Sequence, residues 1–254
     1  MNLKFLPKKI LITSLMCLSC LLTYCVSPSE VLNLIREKLP KLRDSNIGAI
    51  DSEGKYTKGS GRGLNCSGFA KWVIDGFYTP LTKDDEPKYM SIQTLRTKHF
   101  SERGKEETLP YEKTREPYFG LDWTRNMAME LGKKRGEDAK YKSYDITQSE
   151  VAEYVMNCGF PTDKIESVLL EQGKLKSNSI FLGSINGMFG KKPTLWQHYH
   201  VAVFVPHVEN DELSIIVLER NKETSFEYLL KRYPNTYCHL VEITTQGEYS
   251  LMEP

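Results

Sequence analysis

Two side chains able to do covalent chemistry stand out by their surroundings. Cys66 lies in Asn65-Cys66-Ser67-Gly68-Phe69, after the glycine-rich approach Gly59-Ser60-Gly61-Arg62-Gly63-Leu64. Glycines let the backbone turn sharply, and Asn65 is a good helix N-cap. Cys66 is therefore expected in the first turn of a helix, where unpaired N–H groups and the helix dipole favour negative charge. A thiol held there is expected to ionise below its ordinary range, which is what a cysteine nucleophile requires. Ser67 and Gly68 are small and leave room for a substrate to approach.

A nucleophile of this kind needs a base. His200 opens the run His200-Val201-Ala202-Val203-Phe204-Val205, which reads as a strand. A histidine at the start of a strand can be aimed rigidly at a helix N-terminus, and a cysteine and histidine distant in sequence are the usual pair in thiol enzymes. His198 falls on the same face of a regular strand, so the base stays open between the two. Other chemistries find less support. No Gly-Lys-Ser/Thr follows the glycine-rich approach, as a phosphate loop would need. No close-set pair of cysteines beyond residue 25 suggests zinc, and His198 and His200 lack obvious further ligands. No metal and no cofactor are expected.

The elements that must position these residues read as follows. Pro28 to Leu42 is predicted helical with Ser29 as cap, and Asp44 to Gly63 is a loop. A second helix runs from Asn65 or Cys66 to Phe77, burying Phe69, Trp72, Val73 and Phe77. Thr79 to Arg115 is polar and irregular. Helices are predicted at Asp122 to Leu131 and at Ile146 to Cys158, the latter with a Thr147–Glu150 capping box, and a short one at Thr162 to Gln172. Lys133 to Lys142 reads as a solvated charged turn. Strands are predicted at Ser179–Ser184, His200–Val205, Leu213–Leu218 and Tyr237–Ile243, with a short helix at Phe226–Tyr233. Helices first and strands second is the order of a segregated α+β domain.

Of 254 residues, 40% are hydrophobic and 26% charged, as in an ordinary globular protein. The net charge of +1 gives no reason to expect nucleic acid as a partner. Lys4, Lys8 and Lys9 precede an almost uncharged run from Ile10 to Val26, the layout of a secretory signal over residues 1–25 or of an uncleaved anchor. Leu18-Ser19-Cys20 resembles the end of a bacterial lipoprotein signal, with Cys20 as the lipidated residue; Cys25, behind bulky Tyr24, fits less well. The expectation is an exported, monomeric protein on a membrane through an N-terminal lipid or anchor, or free in the periplasm or at the cell surface. Cys66, Cys158 and Cys238 would remain in the mature chain, so at least one thiol is unpaired. Cys158 and Cys238 are either two buried thiols or a disulfide.

Tyr56, Gly59 and Gly63-Leu64-Asn65-Cys66-Ser67-Gly68-Phe69 together resemble the nucleophile motif of NlpC-type cysteine peptidases, papain-like bacterial cell-wall endopeptidases. His200-Val201-Ala202-Val203-Phe204 resembles their histidine motif, and Leu175 to Phe181 the strand entry before it. The resemblance implies a papain-like fold, with N-terminal helices packed on a mostly antiparallel sheet in a single domain over 26–254. It implies Cys66 as nucleophile, His200 as base, and Tyr56 beside the site on the substrate and oxyanion side, where Asn65 also stands. The N–H of Cys66 would be another oxyanion donor. The third residue, on the strand after the histidine, would be Glu219, with Asn221 and His207 as poorer choices. Three features depart from the pattern. Asn65 replaces the usual Asp, Glu219 stands where His, Asn or Gln is usual, and a largely helical insertion at about 79–173 separates the two motifs and could wall the cleft. The implied activity is hydrolysis of an amide, with peptidoglycan peptide as substrate. An acyltransferase or amidase acting on another substrate, or a surface lipoprotein that only binds, are the alternatives.

Overall fold

The computed structural model describes residues 25–97, 99, 116–190 and 195–254. The signal-like segment with Cys20 lies outside the described residues. So does most of 98–115. The described elements are α1 (Pro28–Lys38), β1 (Arg43–Asp44), β2 (Gly63–Leu64), α2 (Cys66–Tyr78), α3 (Ile92–Leu95), α4 (Phe119–Lys134), β3 (Phe160–Pro161), α5 (Ile165–Leu175), β4 (Ser179–Phe189), β5 (Leu195–Glu209), β6 (Glu212–Glu219), β7 (Lys222–Thr224), α6 (Phe226–Arg232) and β8 (Tyr237–Thr244). This is a mixed α+β architecture. Its main sheet has the order β3-β8-β4-β5-β6-β7, and every pairing in it is antiparallel.

The sheet is covered on both faces, because its central strands carry apolar residues on consecutive positions rather than only on alternate ones, as in Val201 to Val205. Val201, Val203 and Val205 of β5 join Leu182, Leu218 and Val241 in a core shared with Val31, Leu32 and Ile35 of α1, Phe69, Trp72 and Val73 of α2, and Trp123 and Met127 of α4. Ala202 and Phe204 point the other way, with Phe181, Ile185 and Leu240, into a second core closed by Ile165, Val168 and Leu169 of α5 and Phe226 and Leu229 of α6. The described part of the 79–173 region thus supplies a layer to each core. It does not sit outside the fold as an appended excursion.

Several expected elements end differently. Helix α1 is capped by Ser27, not Ser29. Ser27 Oγ accepts from Glu30 N while the Glu30 carboxylate accepts from Ser27 N (2.8 Å), with Pro28 at the first helical position. Ser29 Oγ instead meets His207 Nδ1 (2.9 Å). The Phe119–Lys134 helix is longer than the apolar spacing suggested.

The predicted helix at Ile146 to Cys158 is absent; the segment is bends and turns. Its start is tied to the sheet edge. Asp145 bridges to Val241, Ile146 N donates to Leu240 O (3.0 Å), and buried Asp145 is ion-paired to Arg125 Nη2 (2.6 Å). Glu150 cannot close a capping box because its N–H donates to Glu171 Oε1 (2.9 Å). Tertiary hydrogen bonds thereby override a local helix signal. Cys158 and Cys238 are both free thiols. Among the described residues no helix is long and apolar enough to cross a membrane.

Candidate active site

The local sequence places Cys66 at the first position of α2. Asn65, in extended conformation, caps the helix: its Oδ1 accepts from Gly68 N (2.7 Å) and from Ser67 Oγ (2.9 Å). The approach loop reaches this cap through left-handed residues at Gly59, Gly61 and Arg62. Asn65 N donates to Gly48 O (2.9 Å). Gly68 is obligatory for the same reason, because a Cβ there would lie 1.9 Å from Gly48 O. From the other side, Trp123 Nε1 of α4 donates to Ser67 O (3.0 Å) and holds the first turn.

His200 sits on β5, facing both Cys66 and Glu219. Its Nε2 lies 2.5 Å from Glu219 Oε2, and both side chains are buried. Thr224 Oγ1 donates to the other carboxylate oxygen (3.0 Å), so both oxygens of Glu219 are engaged. With Nε2 committed to Glu219, Nδ1 is the ring nitrogen left for the thiol. Burial pushes the Cys66 thiol up. The hydrogen bond and positive charge of His200, with backbone N–H groups of Val201 and Ser67, outweigh burial and bring it below its ordinary value. Burial likewise pushes His200 down, but the sulfur of Cys66 and the carboxylate of Glu219 raise it above its ordinary value. Glu219, pushed up by burial, is lowered on balance by its bond to His200. All three shifts favour thiolate, imidazolium and carboxylate in a row.

A cleft of about 650 Å³ opens over this row. Its lining includes Asn65, Cys66, Ser67 and His200, with Phe119, Phe189, Tyr199 and Tyr233 as aromatic walls and Arg220 and Arg232 at its edge. Tyr233 stacks on the His200 ring at 4.9 Å, Tyr199 packs on Tyr233, and Phe189 stacks on Tyr199 at 4.4 Å. Cys66 is partly exposed here.

The structure brings Cys66, His200, Glu219 and Asn65 together, with the Asn65 side-chain oxygen spent on capping. Tyr56 is not among the residues lining the cleft. It pairs with Ile50 as an isolated bridge, packs against the helical-face core, and lies under the Arg62 guanidinium (5.9 Å). His198 does not share the face of His200. The β4–β5 register shifts between Ile185 and Asn186, which pair with His200 and His198, so Tyr199 is an extra residue. This bulge breaks the alternation of a regular strand. His198 turns to Ser184 Oγ (2.9 Å) and Tyr118 instead. Asn221 donates to Leu42 O and His207 bonds Ser29.

Sequence reasoning missed β7 with Thr224, the stacking role of Tyr233, and Arg232. No motif marks them; the one available signal was the aromatic neighbour Tyr199 beside His200. Among the described residues no group of three or more His, Cys, Asp or Glu could hold a metal ion. The chain matches no protein-family model, no curated protein and no solved structure. The functional reading therefore rests on the geometry of the site.

Proposed function

We propose that the chain is a papain-like cysteine hydrolase acting on an amide. The observation that carries this reading is the buried His200–Glu219 pair set against a thiol at a helix N-terminus, inside an open cleft. The Cys66 thiolate attacks the amide carbonyl, forming an S–C bond and an oxyanion. As the first residue of α2, Cys66 has an N–H without an intrahelical acceptor, suited to receive that charge. His200 passes its proton to the nitrogen as the C–N bond breaks, and the amine leaves. His200, now neutral, takes a proton from water as the water oxygen attacks the thioester; the C–S bond breaks, the carboxylic acid leaves, and thiolate and imidazolium are restored. Glu219 keeps the imidazole oriented and stabilises its cationic form.

The signal-like N-terminus favours export, which makes the peptide part of peptidoglycan the first substrate to try. Digestion of purified wall peptides, followed by mass spectrometry of new amines, tests the reading. Cleavage is expected from the intact chain and none from Cys66→Ala. If Cys66 alkylates no faster than an ordinary exposed thiol, the enzymatic reading is wrong and a binding module remains.

A further inference from the structure

The charge at the cleft edge is one-sided. Two guanidinium groups line it, Arg220 and Arg232, and no carboxylate shares that lining. The two arginines differ in what they already hold. Arg220 pairs with Asp44 (2.7 Å) and donates to Ser45 O (3.0 Å), so it serves to fasten the β1 region. Arg232, at the end of α6, meets no carboxylate within salt-bridge distance among the described residues. Its charge acts on Glu219 through space, yet both oxygens of Glu219 are taken by His200 and Thr224. Two contacts fix Arg232: a hydrogen bond to the Tyr228 hydroxyl, and the Tyr233 ring, whose centre lies 5.2 Å from the guanidinium carbon and which stacks on His200 at 4.9 Å. A guanidinium has five N–H donors, so one laid on a ring and bonded to a single hydroxyl keeps further donors and a set orientation, which suits capture of a carboxylate.

Resting on the thiol-hydrolase reading, we infer that the substrate of the Cys66 site carries a carboxylate a few bonds from the scissile carbonyl, received by Arg232 at the cleft edge. The aromatic walls accept the apolar spacer between the two. Arg232 is thus a specificity residue: it discriminates among substrates and takes no part in moving protons.

Two alkylating probes of equal length test this without knowing the substrate: 4-(bromoacetamido)butanoate, an anion, and its neutral carboxamide. Each forms an S–C bond to Cys66 and releases bromide. The second-order rate at Cys66 is read by mass spectrometry. The quantity compared is the anion-to-neutral rate ratio, first in the intact chain and then in Arg232→Gln and Arg232→Lys. The His200 imidazolium favours the anion in all three proteins, so the difference isolates Arg232. The ratio is expected to fall about fivefold in Arg232→Gln, the effect of losing a partly exposed ion pair. It should be largely kept in Arg232→Lys. In the intact chain it should shrink as salt is raised. An unchanged ratio in Arg232→Gln, or one indifferent to salt, overturns the inference while leaving the nucleophile intact. Failure of Cys66 to outpace a free thiol with either probe removes the hydrolase reading and this inference with it.

Discussion

Replacing Glu219 by Gln keeps a hydrogen-bond acceptor beside His200 but deletes the charge that stabilises the imidazolium. In the structure the contact is short and sheltered: 2.5 Å between Nε2 and Oε2, with the two side chains 5% and 2% exposed. Solvent screening therefore reduces it little. A hydrogen bond to a charged group is worth about 1.5–3 kcal/mol and a neutral one about 0.5–1.5. The substitution should cost the imidazolium about 1.4 kcal/mol, or one pH unit of its deprotonation midpoint. NMR titration of the imidazole C–H resonances reads this directly, with His200→Gln supplying the assignment among the five histidines. The His200 midpoint, raised in the intact chain, should drop by about one unit. The sign carries into stability. The raised His200 value stabilises the fold fully below the unfolded histidine value of about 6.5, and this is lost as pH rises through the folded value. The lowered Glu219 value stabilises it above the unfolded glutamate value of about 4.3, and this is lost as pH falls through the folded value. Both contributions are complete between those limits; the variant should lose the Glu219 contribution and the share of the His200 contribution that Glu219 supplies, while the share from Cys66 stays. A His200 midpoint that stays put or moves up in Glu219→Gln would refute the assignment of Glu219 as its partner.

Cys66 should be the fastest-alkylated cysteine of the described chain, because its thiol is lowered whereas burial pushes the Cys238 thiol well up; peptide mapping after brief iodoacetamide treatment checks the order. Asn65→Ala should lower stability by about 1 kcal/mol through loss of the cap, with Asn65→Asp keeping it, as read by urea denaturation. Gly68→Ala should cost about 3 kcal/mol or prevent folding, because the new methyl would strike the Gly48 carbonyl; a thermal midpoint like that of the parent would disprove the close approach. Asp75→Ala should destabilise by about 3–5 kcal/mol, since it strands fully buried Lys71, now 2.5 Å from Asp75, without a counter-charge.

What the sequence made legible was whatever depends on short-range signals. The cap at Asn65, the apolar spacing of Phe69, Trp72 and Val73, and the β-branched run after His200 each declare an element, although β5 begins at Leu195 and not at His200 as expected. The pairing of Glu219 with His200 was within reach because β5 and β6 are adjacent antiparallel strands and β6 ends beside the His200 stretch, with Val203 opposite Leu218. The rest depends on distant parts of the chain. Asp145 is claimed by Arg125 and by β8, which defeats the helix that Thr147 and Glu150 would otherwise start. The bulge at Tyr199 separates His198 from His200, and nothing in the alternation of residues announces it. Tyr56 sits in a motif-like position, yet the loop carries it to Ile50 and Arg62, away from the cleft.

The unpaired Tyr199 also divides β5 into two lengths with separate tolerances. From His200 inward the strand is gripped by β4 and then by β6 as well, starting at Val203. The outer arm, Leu195 to His198, pairs with β4 alone. A residue gained or lost in that arm is taken up at the kink and is not transmitted as a half-turn of the imidazole. Inserting one residue in this outer arm is therefore expected to leave the His200 ring aimed as before.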